Sequence, residues 1–276
     1  MEIGYIYYFG FGYCYMGIKT KITSSQLPIK YQQYKLIPTT NGVMATVYLL
    51  DDQYVLKLFE LDTPLITIES EIKLLNTLID LPTPKVVDRF QIDGHEIVIY
   101  TQIQGEIISN PIDKYIEQIG KFLKKFHNQS QNIKLENEKL FDRDRLKTLI
   151  DLTNNETLLK YFEDISLKLN HNGVIHGDLF MDNCKFQNHK LSGVFDFSDA
   201  CYGDFYFDLA VVAIGWCFDK DILNKSKVDI LLQSYQTDID YKLFKKYIKY
   251  ALLYYATTRY IFNRNGDELL RRLEYL

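Results

Sequence analysis

Residues 174–186 read VIHGDLFMDNCKF, a polar island between two apolar runs, and the reading of that island decides the fold. It holds His176, Asp178 and Asn183 where a strand pair should be building core. Asp and Asn are common turn residues, so either alone would signal only a hairpin. Three polar groups at fixed intervals, bracketed by strand-like residues, describe something else: a loop presented on a rigid scaffold. Thirteen residues past Asn183, in VFDFSD, Asp196 ends a further apolar strand.

The spacing His176-x-Asp178-x-x-x-x-Asn183 matches the H-x-D-x-x-x-x-N pattern of kinase catalytic loops. The chemistry explains the interval. A carboxylate must take the proton of an attacking hydroxyl while an amide oxygen on the same short loop helps hold Mg²⁺ against the phosphate. Asp196 would add the hard oxygen that Mg²⁺ prefers, with Ser198 where a D-F-G pattern has glycine. Upstream, such chemistry needs a glycine turn, a lysine for the nucleotide phosphates and a carboxylate to hold that lysine. TTNGVMATVY supplies Gly42 and the backbone amides up to Thr46, VLKLF supplies Lys57, and the next helical stretch offers Glu71, with Glu69 as a competing partner. No Ser-His-Asp pattern involves Ser198, so no covalent intermediate is expected.

The 276 residues suit one large domain or two lobes. Hydrophobic residues make up 47% and charged ones 25%, ordinary for a globular protein, although 22 Tyr and 17 Phe are many. A net charge of -4 leaves no global positive field for a polyanion, so a small-molecule alcohol is the expected partner and nucleic acid is not. Cys14, Cys184, Cys201 and Cys217 contain no CxxC pair, which points to free thiols in a reducing, cytoplasmic setting. The opening MEIGYIYYFGFGYCYMGIKTK lacks a basic start, and its glycine-broken apolar run is too short to span a bilayer, so no membrane association is expected. It reads as an extra strand, whereas residues 174–186 themselves read as a short β-loop-β insert in the helical lobe. Alternatively, translation starts at Met16 and residues 1–15 are not part of the native chain. A monomer or a homodimer is expected.

Along the chain, ATVYLL and YVLKLF read as strands joined at DDQ, a helix runs over 66–80 to stop at LPTP, and two strands flank IDGH, the second ending at Gly105. Residues 31–105 therefore form a small antiparallel β-lobe with one helix, preceded by an extension over 1–30. From Ile112 to His127 apolar residues recur at helical spacing; one or two helices follow over 144–169, and 205–218 and 241–263 are strongly apolar and helix-like. Residues 106–276 make a larger, mainly α-helical lobe, an α+β chain overall.

With these residues in place the chain resembles the aminoglycoside phosphotransferase and choline kinase group of the protein-kinase-like fold over residues 35–263. HGDLFMDN, the Asp196-Phe197 strand end and GDFYFDLA from Gly203 to Ala210 carry the resemblance. It implies that Asp178 is the base, that Asn183 and Asp196 hold Mg²⁺, that Lys57 contacts the ATP phosphates, and that Asp204 and Asp208 brace the loop, as His176 does. ATP would sit between the lobes with adenine against IVIYTQI, read by the backbone near Thr101 and Gln102. Within the group, HGDLFMDN, LSGVFDF and DLAVVAIGWCF are most similar to homoserine kinases, which implies transfer to the hydroxyl of L-homoserine. Ser198-Asp199 and Gly215 depart from that subfamily, so another small alcohol stays open: an aminoglycoside, choline, ethanolamine, hydroxylysine or a sugar. The acidic residues Asp199, Asp204, Asp208, Asp219 and Asp221 speak for a polycation. A nucleotide-binding pseudoenzyme is the rival of another class. Phe180, Asp199, Tyr202 and Trp216 flank the loop and are the expected acceptor contacts, Trp216 also fitting a core position; His127 is expected to be structural.

Overall fold

The computed structural model describes residues 19–39, 45–136 and 139–276. Gly42 and the first 18 residues, with the readings of a leading strand and a start at Met16, lie outside the described residues.

Five strands build the small lobe: β1 (Leu36–Pro38), β2 (Ala45–Leu50), β3 (Tyr54–Phe59), β4 (Val86–Ile92) and β5 (His95–Thr101). They form one antiparallel sheet in the order β1-β2-β3-β5-β4. Its outer face carries Tyr48, Leu50, Leu56, Leu58, Ile97 and Ile99, and Ile22, Leu27 and Tyr31 of the preceding stretch are buried against it. The N-terminal extension, residue 19 onward, is therefore part of the lobe's packing. Helix α1 (Leu65–Thr77) crosses the inner face, burying Ile68, Glu71, Leu74 and Leu75. The second strand of the last pair stops at Thr101 rather than at Gly105. Beyond it the chain runs extended until Glu106 bridges to Phe186. Gly105 is needed at that crossing, because its φ is +107° and a side chain would strike the Phe186 carbonyl.

The larger lobe is helical. Helix α2 (Asp113–Ser130) continues one turn past His127, and the stretch after 142 resolves into α3 (Arg143–Thr153) and α4 (Glu156–Asp164), capped by Asp142 and Asn155. Two short antiparallel pairs follow: β6 (Gly173–Ile175) with β9 (Cys201–Gly203), and β7 (Cys184–Gln187) with β8 (Lys190–Val194). Helix α5 (Phe205–Trp216) is almost wholly buried, and apart from Asp208 its buried side chains are apolar. A two-residue hairpin, β10 (Phe218–Asp219) with β11 (Ile222–Leu223), then leads to α6 (Lys225–Tyr235), α7 (Tyr241–Ile261) and α8 (Asp267–Glu274). Helices α6 and α8 are additions to the sequence reading. Val228, Leu231, Leu232 and Tyr235 recur at helical spacing behind an Asn224 cap, which is the signal that marks α6. No helix among the described residues is long and apolar enough to cross a membrane.

Candidate active site

The polar island sits where β6 leaves the core and β7 re-enters it, joined by a single 3-10 turn at Met181–Asn183. Gly177 makes the bend: its φ is +80° and Phe141 packs where a Cβ would be. Asp208, fully buried on α5, fixes the loop from below by accepting the amides of His176 at 2.9 Å and Gly177 at 2.8 Å. Its third bond comes from His127 Nε2 at 2.9 Å, which leaves His127 Nδ1 to accept from the Tyr235 hydroxyl. Burial would raise the Asp208 carboxyl, but His127 and the loop amides hold it below the ordinary range, as a braced anion should be. His176 is likewise structural, donating from Nε2 to the Phe195 carbonyl and accepting the Asp178 amide at Nδ1. Burial lowers its pKa, so the ring is neutral. Asp204 caps α5 and also accepts from Asn170 N and the Tyr247 hydroxyl. Asp208 and His176 brace the loop and His127 stands behind them, whereas the Asp204 bonds cap α5 and reach Asn170 and Tyr247 but not the loop.

Asp178 projects from the braced loop. Asn183 Nδ2 donates to its carbonyl at 2.7 Å and to Oδ2 at 2.9 Å, which spends both amide protons and turns the Asn183 oxygen outward. The Tyr255 hydroxyl of α7 donates to the Gly177 carbonyl and lies 3.4 Å from Asp178 Oδ1. Burial, followed by the nearby Asp199, Asp196 and Asp182 carboxylates, raises the Asp178 pKa well above the usual range, the direction a proton acceptor for a hydroxyl requires. Burial, then Asp196, pushes Asp199 up to about 6.

The small lobe reaches the same place through Lys57. On β3 it shares the inner face with Val98 of β5, its register partner. Its ammonium lies 3.1 Å from Glu71 Oε2, 3.1 Å from Asp196 Oδ1 and 2.5 Å from Ser198 Oγ, so it ties both lobes together. Glu71 is the partner; Glu69 pairs loosely with Arg89 instead. Burial works against the Lys57 charge, but Asp196 and Glu71 outweigh it and hold the lysine protonated. Asp196 has a left-handed backbone, φ +60°, which aims its carboxylate back into the cleft. Burial would raise it, yet Lys57 and the Ser198 hydroxyl draw it down to about 2.

Several expected contacts fall elsewhere. Thr46 lies on the sheet face opposite Lys57, and its hydroxyl accepts from Lys19 N and Thr20 N and donates to Glu60. The amides of Thr101 and Gln102 are already spent on the Lys85 and Gln53 carbonyls, so neither is open to donate to an adenine edge. Trp216 is wholly buried and donates to the Leu179 carbonyl, bracing the loop from behind rather than facing an acceptor. Tyr202 spends its hydroxyl on the His171 carbonyl and stacks on that ring. Phe180 packs edge-on to Tyr255 and close over Gly215. Tyr255 had no sequence signal, because one tyrosine of an apolar helix looks like any other.

Among the described residues no three His, Cys, Asp or Glu side chains gather into a metal cage. The donor set nevertheless suits Mg²⁺, which takes one or two protein oxygens and completes its octahedron with water and phosphate. Asn183 and Asp196 offer an outward amide oxygen and a carboxylate held ionised, the two donors such a site needs.

A loop carboxylate, an amide five residues on, a lysine-bound carboxylate from the next strand end and a Lys–Glu pair in a five-stranded lobe define a kinase-like phosphotransferase fold. The family model described as the phosphotransferase enzyme family matches residues 35–237, and the chain belongs to that family. A homoserine kinase of Bartonella tribocorum is 31% identical over 160 residues, covering 53% of this chain and 50% of that protein. One from Brucella anthropi is 28% identical over 252 residues, covering 80% of this chain and 77% of that protein. The chain thus spans about half the length of the first of these curated relatives it matches. Among solved structures, the GDP complex of an aminoglycoside 2'-phosphotransferase superposes with a TM-score of 0.64 at 17% identity, covering 87% of this chain and 89% of that one. The choline kinase of Streptococcus pneumoniae does so at 0.57 and 18%, covering 84% and 88%.

Proposed function

We propose that this protein transfers the γ-phosphate of ATP to the side-chain hydroxyl of a small amino-acid alcohol, L-homoserine first. The observation that carries the reading is the meeting of Lys57 and Asp196 with the Asp178–Asn183 loop in one cleft between the lobes. Lys57, held by Glu71, positions the nucleotide phosphates. Asn183 and Asp196 would hold Mg²⁺, which supplies neutralisation of the charge that develops on the transferring phosphoryl group. Asp178, with its raised pKa, orients the acceptor hydroxyl and takes its proton as the new P–O bond forms and the bond to ADP breaks. Positioning and fixed charge do most of the work. Asp199, half-buried near Asp178 and reluctant to ionise, is the partner for the acceptor's ammonium.

The similarity to homoserine kinases supports this acceptor over an aminoglycoside, and so does the use of the acidic residues. Asp208 is buried in the bracing network and Asp204 at the cap of α5, Asp219 is paired with Lys227, and Asp221 with Arg271 and Arg272. Of the five carboxylates that spoke for a polycation, Asp199 alone is free to face one. Purified protein with Mg²⁺-ATP, assayed for ADP release against homoserine, choline, ethanolamine and kanamycin, tests the reading. Homoserine should stimulate release, and Asp178→Asn should abolish the stimulation while Mg²⁺-ADP still raises the melting temperature. Release that no acceptor stimulates, or that Asp178→Asn leaves intact, defeats it and leaves the pseudoenzyme.

A further inference from the structure

Arg259 occupies the last turn of α7, four residues after Tyr255, so the two side chains rise from one face of the helix about 6 Å apart along its axis. Helical side chains lean toward the N-terminus, which carries the Arg259 head back over the turn that holds Tyr255. Tyr255 in turn touches Gly177 and Asp178. Arg259 thus follows, about one turn on along the same face of α7, the tyrosine that touches Asp178.

What sets Arg259 apart is its lack of a partner. Arg89 is bonded to Glu96, Arg143 to the Ile165 and Phe162 carbonyls, Arg272 to Glu268 and the Ile214 carbonyl, and Arg271 to Asp221. Arg145 and Arg264 are engaged as well. Arg259 is half-buried, yet among the described residues its guanidinium makes no hydrogen bond and no ion pair. A planar cation with five donors, partly withdrawn from water and left unbonded, is built for a carboxylate or phosphate that arrives with a ligand. The nucleotide phosphates are the task of Lys57 and Asp196 across the cleft. On the acceptor side, the anion available in the proposed substrate is its α-carboxylate.

We infer that Arg259 binds the carboxylate of the acceptor and so makes this site selective for amino-acid alcohols over plain amino alcohols. The inference rests on the acceptor reading of the previous section and sharpens it. In homoserine three C–C bonds of about 1.5 Å separate the hydroxyl-bearing carbon from the carboxyl carbon, a span of the same order as one helical turn. A hydroxyl at Asp178 and Tyr255 thus leaves the carboxylate within reach of a guanidinium that leans toward it, while the ammonium turns to Asp199.

The test compares L-homoserine with 3-aminopropan-1-ol, which keeps the hydroxyl and the amine and has hydrogen in place of the carboxylate. Wild-type protein should prefer homoserine in kcat/KM. Arg259→Gln should raise the homoserine KM about 10- to 100-fold with little change in kcat, the loss of one charge-assisted pair. It should leave the KM for 3-aminopropan-1-ol unchanged. Arg259→Lys should recover part of the loss, and it carries the test if the glutamine variant does not fold, since it should still weaken homoserine alone. An arginine that merely complements the negative end of α7 would affect both acceptors equally, and that result overturns the inference. A preference for homoserine that survives Arg259→Gln overturns the role of Arg259 and spares the acceptor reading. Wild-type protein that uses 3-aminopropan-1-ol, choline or kanamycin in preference to homoserine overturns both.

Discussion

Replacing Asp199 with asparagine should make the ligand-free protein more stable, and by an amount that grows with pH. Asp199 has its pKa pushed up from 3.8 to about 6 by burial and by the neighbouring Asp196 carboxylate. Below 3.8 the group is neutral in the folded and the unfolded chain and costs nothing. As pH rises, the unfolded chain releases the proton first, and the folded state must eventually hold a charge it disfavours; the cost is complete above about 6. At 1.36 kcal/mol per pKa unit, that rise is worth about 3 kcal/mol. The asparagine side chain has no charge to hold. Urea unfolding without nucleotide or metal should therefore find Asp199→Asn more stable than wild type by about 3 kcal/mol at pH 8 and by about half that at pH 5. The same variant should bind the amino-bearing acceptor more weakly, because the charge that destabilises the empty site is the one an ammonium would neutralise. A stability difference that is the same at both pH values, or a variant less stable at pH 8, contradicts this linkage.

Three other perturbations read different parts of the site. Lys57→Met leaves Glu71 buried beside a missing cation and should cost about 3–5 kcal/mol in urea unfolding, with a smaller loss when Glu71→Gln is added in the same chain. His127→Phe keeps the stack on Phe205 but takes a donor from Asp208 and an acceptor from Tyr235. It should lower stability by about 2–4 kcal/mol and reduce kcat more than the KM for ATP, since the loop it braces carries Asp178. Trp216→Phe should cost about 1–3 kcal/mol through lost packing and the lost Leu179 bond, and should leave the KM of every acceptor unchanged.

The meeting of Asp178 with Asn183 and the Lys57–Glu71 pair were legible because each depends on residue type at a fixed interval within a short stretch. The strands around Lys57 were legible for a similar reason, since alternation and turn residues are local. What could not be read depends on contacts between distant segments. Tyr255 lies 77 residues from Asp178, and nothing in YIKYALLYYATTRY says which tyrosine points at the loop. The bond from His127 to Asp208 spans 81 residues and reassigns a helix-end histidine to the site's foundation. Trp216 and Tyr202 were drawn to the acceptor by closeness in sequence, but burial and the carbonyls of Leu179 and His171 claim them first. Thr46 missed the cleft by one residue of strand alternation, the interval that flips a side chain from one face of a sheet to the other.

The crossing at Gly105 has a mechanical consequence. Past it, Glu106 exchanges backbone bonds in both directions with Phe186 of the larger lobe, while ahead of it Thr101 and Gln102 are stitched into the sheet of the smaller one. The chain passes from one lobe to the other over the peptides between Gln102 and Gly105, and the lobes are also joined where Val194 N donates to the Pro82 carbonyl and Gln129 bonds Ile79. The Lys185 ammonium already grips the Ile103 carbonyl in that interval, and the Ser192 hydroxyl grips that of Gln104. The strip of backbone that links the two sheets is thus pinned by side chains of the larger lobe, so the position of the small lobe's Lys57 against Asp196 is tied to the same segment that carries Lys185 and Ser192.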